Sequence, residues 1–144
     1  MDNNDKITVS TDKSKLNVDF IHEFLTSCYW SAGISKNIVE KSIEGAICFG
    51  IYKNDTQIGF ARVISDRSTF AYLADVFIDK KFRGLGYSKI LMSFIMDYPE
   101  LQGLRRFLLA TRDAHGLYAE FGFSELKNLR QWMEIHNPTV YQLK

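Results

Sequence analysis

Leu73-Ala74-Asp75-Val76-Phe77-Ile78-Asp79-Lys80-Lys81-Phe82-Arg83-Gly84-Leu85-Gly86-Tyr87-Ser88-Lys89-Ile90-Leu91-Met92 reads as an apolar strand, a short basic loop closed by two glycines, and the start of a helix. The helix follows from Ile90, Leu91, Phe94 and Ile95, which recur at helical spacing. Glycines at 84 and 86 let the backbone bend and gather several N–H groups at the positive end of the helix dipole. Such a point binds phosphate. Two glycines alone are equally compatible with a plain tight turn, so the neighbouring sequence has to decide.

Upstream, Ile7-Thr8-Val9-Ser10 alternates as a short strand does, and Val18, Ile21, Phe24, Leu25 and Cys28 fit one face of a helix beginning near Asn17 or Asp19. Ser35 is placed to cap a second helix carrying Ile38, Val39 and Ile43, with Gly45 near its end. Ala46 to Tyr52 and Gln57 to Ile64 form a hairpin around Lys53-Asn54-Asp55-Thr56, and Thr69 to Ile78 is the longest strand candidate. A meander of antiparallel strands therefore leads into the glycine loop. Downstream, Pro99 ends the helix, and Arg105 to Thr111 is a buried strand that returns parallel to the long one by a right-handed crossover. Asp113 to Phe121 reads as a short helix capped by Asp113 and ended at Gly122. Trp132-Met133-Glu134-Ile135 is the expected closing strand, and the tail from Asn137 to Lys144 offers an edge strand around Val140 and Tyr141 that could pair two subunits.

The chain of 144 residues fits one domain, residues 1–144, and is long enough to need neither disulfides nor metal. With 46% hydrophobic and 24% charged residues it has the composition of an ordinary soluble globule. A formal net charge of +1 gives no support to a nucleic-acid or membrane role. Cys28 and Cys48 lack a CxxC or His pattern and read as buried reduced thiols, so no metal site is expected. The polar start and the lack of a membrane-length apolar run point to the cytoplasm. The fold class is α+β, with two helices, a meander and a βαβ unit.

Nucleotide-binding loops fit poorly. A Walker A loop needs GxxxxGK and then Ser or Thr, which Gly84 to Lys89 does not supply. A dinucleotide fingerprint needs a small residue where Lys89 stands and an acid about 20 residues on, where this chain has Arg105 and Arg106.

Arg83-Gly84-Leu85-Gly86-Tyr87-Ser88 resembles the Gln/Arg-x-x-Gly-x-Gly/Ala motif of the GNAT family of N-acetyltransferases, with Ser88 in the last, small position. Ala114-x-x-Leu117-Tyr118-x-x-Phe121-Gly122-Phe123 resembles that family's later helix and its YxxxGF segment. The element order agrees over nearly the whole chain, and the resemblance implies a mixed, mostly antiparallel sheet of six to seven strands flanked by about four helices. It also implies acetyl-coenzyme A as co-substrate. Its pyrophosphate would lie on the amides from Arg83 through Gly84, Leu85, Gly86 and Tyr87 to Ser88, and its pantetheine arm along the main chain of Val76, Phe77 and Ile78. Thr111 stands where many members carry Asn and is expected near that arm.

In the family, a tyrosine at the place of Tyr118 protonates the departing thiolate as general acid. Asp75 alternates with Leu73 and Phe77, so it reads as a buried or cleft carboxylate able to serve as a base, to bind a substrate cation, or simply to bond a neighbouring loop. Tyr29, Trp30, Arg62 and Tyr72 are the expected substrate-binding residues, since the corresponding segments flank the acceptor side in the family. The implied partner is a small-molecule or peptide amine. A homodimer is compatible with the edge strand. The rival function is an acyl-coenzyme A-binding module of the same fold that lacks turnover.

Overall fold

The computed structural model describes residues 5–142. Five strands are present among them: β1 (Ile7–Ser10), β2 (Ile47–Lys53), β3 (Thr56–Ser65), β4 (Phe70–Ile78) and β5 (Arg106–Leu109). They lie in the order β1-β2-β3-β4-β5. All neighbours are antiparallel except β4 and β5, which run parallel. Four α-helices accompany the sheet: α1 (Val18–Ser27), α2 (Lys36–Glu44), α3 (Tyr87–Met96) and α4 (His115–Ala119). Among the described residues no helix is long and apolar enough to cross a membrane.

Local chemistry sets most of these boundaries. Asn17 accepts from the Phe20 amide and Ser35 from the Ile38 amide, so each satisfies one orphan donor at the start of α1 and α2. Asp66 holds the β3–β4 turn by accepting the Thr69 hydroxyl and the amides of Thr69, Ser68 and Phe70, and these bonds keep its carboxyl below the usual range. The expected Asp113 cap of α4 is not formed: Ala114 occupies the cap position and its amide donates to Thr111 Oγ1 at 3.1 Å. The Thr111 hydroxyl holds the turn into α4, and the helix itself has no side-chain cap.

Two apolar layers pack on opposite faces of the sheet. Leu91, Met92 and Ile95 of α3 meet Phe49, Ile51, Ile58 and Leu73 on one face. Ile21, Leu25, Val39 and Ile43 of α1 and α2 meet Cys48, Phe60 and Phe77 on the other. Each such fully buried side chain contributes roughly 1.5–3 kcal/mol relative to exposure. Because both faces are covered, β2 reads as a nearly continuous apolar run.

The feature that shapes the rest is a bulge in β4. Phe60 pairs with Phe77 but Arg62 pairs with Ala74, so Asp75 and Val76 stand opposite Ala61 alone. Asp75 takes a left-handed φ of 54° there. The extra residue reverses the alternation: Leu73 faces the α3 layer whereas Phe77 faces the α1–α2 layer. The expectation that Leu73, Asp75 and Phe77 share a face is therefore overturned. The β4–β5 pairing also stops at Leu73↔Leu109, just before the bulge, so Ala74 to Ile78 has no partner on that side. The sheet opens into a wedge.

Gly59 lies beside this wedge, and a Cβ there would meet Phe77 O at 2.6 Å and the Ile78 and Ile51 side chains at 2.7 and 2.8 Å. Gly59→Ala is expected to lower the unfolding free energy by about 1–3 kcal/mol, read as a lower urea midpoint at unchanged m-value. An unchanged midpoint would show that β3 and β4 separate freely here.

The expected count of six to seven strands is corrected to five. Trp132 to Ile135 is rich in apolar side chains, yet among the described residues no edge receives it: Met133 is 96% exposed and Ile135 fully so, while the Trp132 ring covers the Arg106 guanidinium at 4.6 Å. Apolar, strand-prone residues make a segment fit for a sheet but do not provide the neighbouring strand. Around Val140 the chain turns instead of extending, and Tyr141 packs against the α1–α2 layer. No edge strand for subunit pairing is formed there among the described residues, and Leu143 and Lys144 of the expected tail lie outside them.

Candidate functional site

An open cleft of about 1250 Å³ runs from the glycine loop, along the free edge of β4, to the α1–α2 loop. At its first end Gly84 and Gly86 have φ of 78° and 86°, and a Cβ built on either would meet nothing within 4 Å. The glycines serve backbone conformation and open space above the loop. Gly86 caps α3 without a side-chain bond, so the first-turn amides of Tyr87, Ser88 and Lys89 are the open donors of that helix, beside those of the loop from Gly84. Arg83 Nε donates to Ile78 O at 3.0 Å and ties the loop to the end of β4. Lys80 and Lys81 line the same end. Donors, positive charge and a cradle that a Cβ would fill suit a pyrophosphate.

In the middle, Val76, Phe77 and Ile78 line the cleft where β4 has lost β5. The Phe77 ring turns away, stacked on Phe24 at 3.8 Å, and leaves its main chain at the wedge. Tyr118 of α4 reaches the same cleft; its side chain is buried, with the ring against Phe123 at 6.1 Å. Burial raises its pKa above 10.0, helped by Tyr29 and Asp113, so it is a phenol throughout the neutral range.

The far end is aromatic and mixed in charge. Tyr29 and Trp30 line it with half-exposed rings at 87° to each other, and the Arg112 guanidinium lies 3.7 Å over Tyr29. Glu23 and Cys28 also line it. Cys28 is half-buried, not buried as expected, and its thiol is pushed up to about 11 by desolvation and then by the Asp75 charge. It is no nucleophile at neutral pH.

The expected residues thus divide. Tyr118, Val76, Phe77, Ile78, Arg83, Gly84, Gly86, Tyr87, Ser88, Tyr29 and Trp30 all border the cleft. Leu85 projects outward at 61% exposure. Thr111 is engaged in the turn into α4, and Tyr72 sits farther along β4, between Ile64 and Leu108. Arg62 and Asp75 pair with each other behind the lining, Nε to Oδ2 at 2.8 Å, with 17% and 10% side-chain exposure. The other Asp75 oxygen accepts the Trp30 indole N–H at 2.9 Å. Its charge is already matched.

Phe24, Glu23 and Arg112 escaped the sequence reading. Phe24 sat on the apolar face of α1 and looked like core. Arg112 carried no periodic signal and is recognisable only once β5 ends early and brings its loop to the cleft.

Comparison with known proteins bears on the family and the fold. Residues 15–123 match the acetyltransferase (GNAT) family. A crystal structure from Xanthomonas campestris pv. campestris, of a protein assigned to that family, is 47% identical over 96% of this chain and 98% of that one, with a TM-score of 0.94. A Gibberella zeae protein described as an acetyltransferase is 31% identical over 78% of this chain and 75% of its own. The same fold, at 16% identity and a TM-score of 0.67, occurs in N-acetylglutamate synthase from Neisseria gonorrhoeae, whose structure contains coenzyme A and N-acetylglutamate; 88% of this chain aligns with 31% of that one.

Proposed function

We propose that this chain, which belongs to the GNAT acetyltransferase family, transfers the acetyl group of acetyl-coenzyme A to a primary amine of a small molecule or peptide. The observation that carries the reading is the continuity of one cleft past the glycine loop, the unpaired edge of β4, Tyr118 and the Tyr29–Trp30 pair. These supply in order a phosphate cradle, a backbone edge for an amide-bearing arm, a proton donor and an aromatic acceptor wall.

In this reading the amine nitrogen attacks the acetyl carbonyl carbon directly. A C–N bond forms as the C–S bond breaks, the Tyr118 hydroxyl gives its proton to the departing sulfur and is reprotonated from solvent, and the amine loses its extra proton to solvent. The main-chain N–H of Ile78, which alternates away from the β3 ladder that Phe77 and Asp79 enter, stabilises the carbonyl oxygen as it gains charge. Direct attack is favoured over an acyl-enzyme because the one thiol lining the cleft, Cys28, is protonated at neutral pH.

Calorimetry with coenzyme A tests the cofactor half, with saturable binding and a raised melting temperature expected. Absence of both up to millimolar concentration would overturn it. A thiol-release assay with acetyl-coenzyme A over a panel of amines tests the transfer half. Binding without amine-dependent release would make the chain a coenzyme-binding module.

A further inference from the structure

We infer that Asp75 is a positioning residue, which with Arg62 pins Trp30 and thereby holds the loop between α1 and α2 as the wall of the acceptor half of the cleft. The inference rests on the reading of that half as the acceptor side.

The back of this loop is fastened to α1. Ser31 Oγ donates to Leu25 O at 2.6 Å, the Gly33 amide to Thr26 O at 2.8 Å, and His22 Nε2 lies 3.0 Å from Ile34 O. Its front has one tie to the sheet. Among the described residues, the Trp30 Nε1–H bond to Asp75 Oδ1 is the only hydrogen bond from residues 28–35 to any strand. Trp30 stands edge-on to Tyr29 at 5.2 Å, and Tyr29 carries the Arg112 guanidinium from the loop before α4. A displacement of Trp30 would therefore move the aromatic wall and the cation resting on it.

Asp75 suits this task because of the bulge. A left-handed φ is uncommon for a residue other than glycine, and Asp and Asn tolerate it best. That conformation sets the carboxylate between Arg62 of β3 and Trp30 of the loop, with both oxygens used. The ion pair with Arg62 fixes the carboxylate, and the charge-assisted bond to the indole transmits that fixed point to the loop. The residue that opens the sheet for the coenzyme thus also anchors the acceptor wall.

The test is hydrogen exchange of the whole protein, read by mass spectrometry on peptides covering residues 28–35, with coenzyme A binding measured in parallel. Trp30→Phe removes the donor and leaves the Arg62–Asp75 pair intact. Asp75→Gly removes the carboxylate at a backbone angle glycine accepts, and Asp75→Asn keeps the angle and one acceptor oxygen, which can serve the indole or Arg62 but not both. Exchange in residues 28–35 is expected to rise at least about tenfold in Trp30→Phe and Asp75→Gly and by less in Asp75→Asn than in either, with β2, β3 and α3 unaffected in Trp30→Phe. Coenzyme A affinity stays within about twofold. Unchanged loop exchange in Trp30→Phe overturns the inference, as does a rise shared equally by the sheet. Failure of the parent protein to bind coenzyme A would strike the proposed function and leave the loop result standing.

Discussion

Tyr118→Phe is expected to lower kcat for acetyl transfer at least about a hundredfold while coenzyme A affinity stays within about twofold. The substitution is clean because the ring does the packing: it is buried and lies against Phe123 at 6.1 Å, and phenylalanine keeps both features. Tyr118 borders the cleft, so loss of its hydroxyl is expected to remove a proton donor and little else. The pH profile carries a second signature. Desolvation raises the Tyr118 pKa, with Tyr29 and Asp113 adding to it, so the donor form persists through neutrality and is lost only as pH rises past that elevated value. The parent enzyme should therefore show a falling limb in kcat above pH 10.0, and Tyr118→Phe should lack it. Thiol release with the fastest amine of the panel measures both. A kcat within about threefold of the parent would remove Tyr118 from the acid role and return the proton to water.

Most signals carried by a single residue and its near neighbours were legible in the sequence, the Asp113 cap excepted. Asn17 and Ser35 cap the helices they were expected to cap, and the glycine pair stands at the start of α3. The bulge was not legible. Leu73-Ala74-Asp75-Val76-Phe77 carries no glycine or proline to mark an irregularity, and only the pairing of β4 with β3 shows that one residue is extra. From that slip follow the face reversal at Phe77, the pairing of Asp75 with Arg62 and the opening past Leu109. Arg62 and Asp75 are 13 positions apart, and which of them could meet depended on a register the alternation misreported. The closing strand failed for a related reason: Trp132 to Ile135 has strand-prone side chains but no edge to join. Local rules place caps and turns; residues that meet across a sheet depend on register.

The glycine loop yields the other large effect, and it can be separated from simple backbone strain. Gly86 and Gly103 have positive φ, 86° and 71°, and at both a Cβ would meet nothing within 4 Å. Alanine at either site therefore pays the left-handed cost of about 1–2 kcal/mol without a steric clash in the free protein. Only Gly86 lines the cleft; Gly103 lies in the turn before β5. If the amides after Gly84 hold a pyrophosphate, a methyl group at residue 86 occupies the space through which the phosphate oxygens reach them. Gly86→Ala should then weaken coenzyme A binding at least about tenfold, equivalent to about 1.4 kcal/mol, whereas Gly103→Ala should lose comparable stability and bind as the parent does. Paired calorimetric and urea titrations give both quantities for both variants. Equal affinities in the two variants would mean that Gly86 serves the turn alone and that the phosphate lies elsewhere in the cleft. A selective loss at Gly86 would tie the open φ of this residue to the ligand, which is the physical reason a glycine is needed where α3 begins.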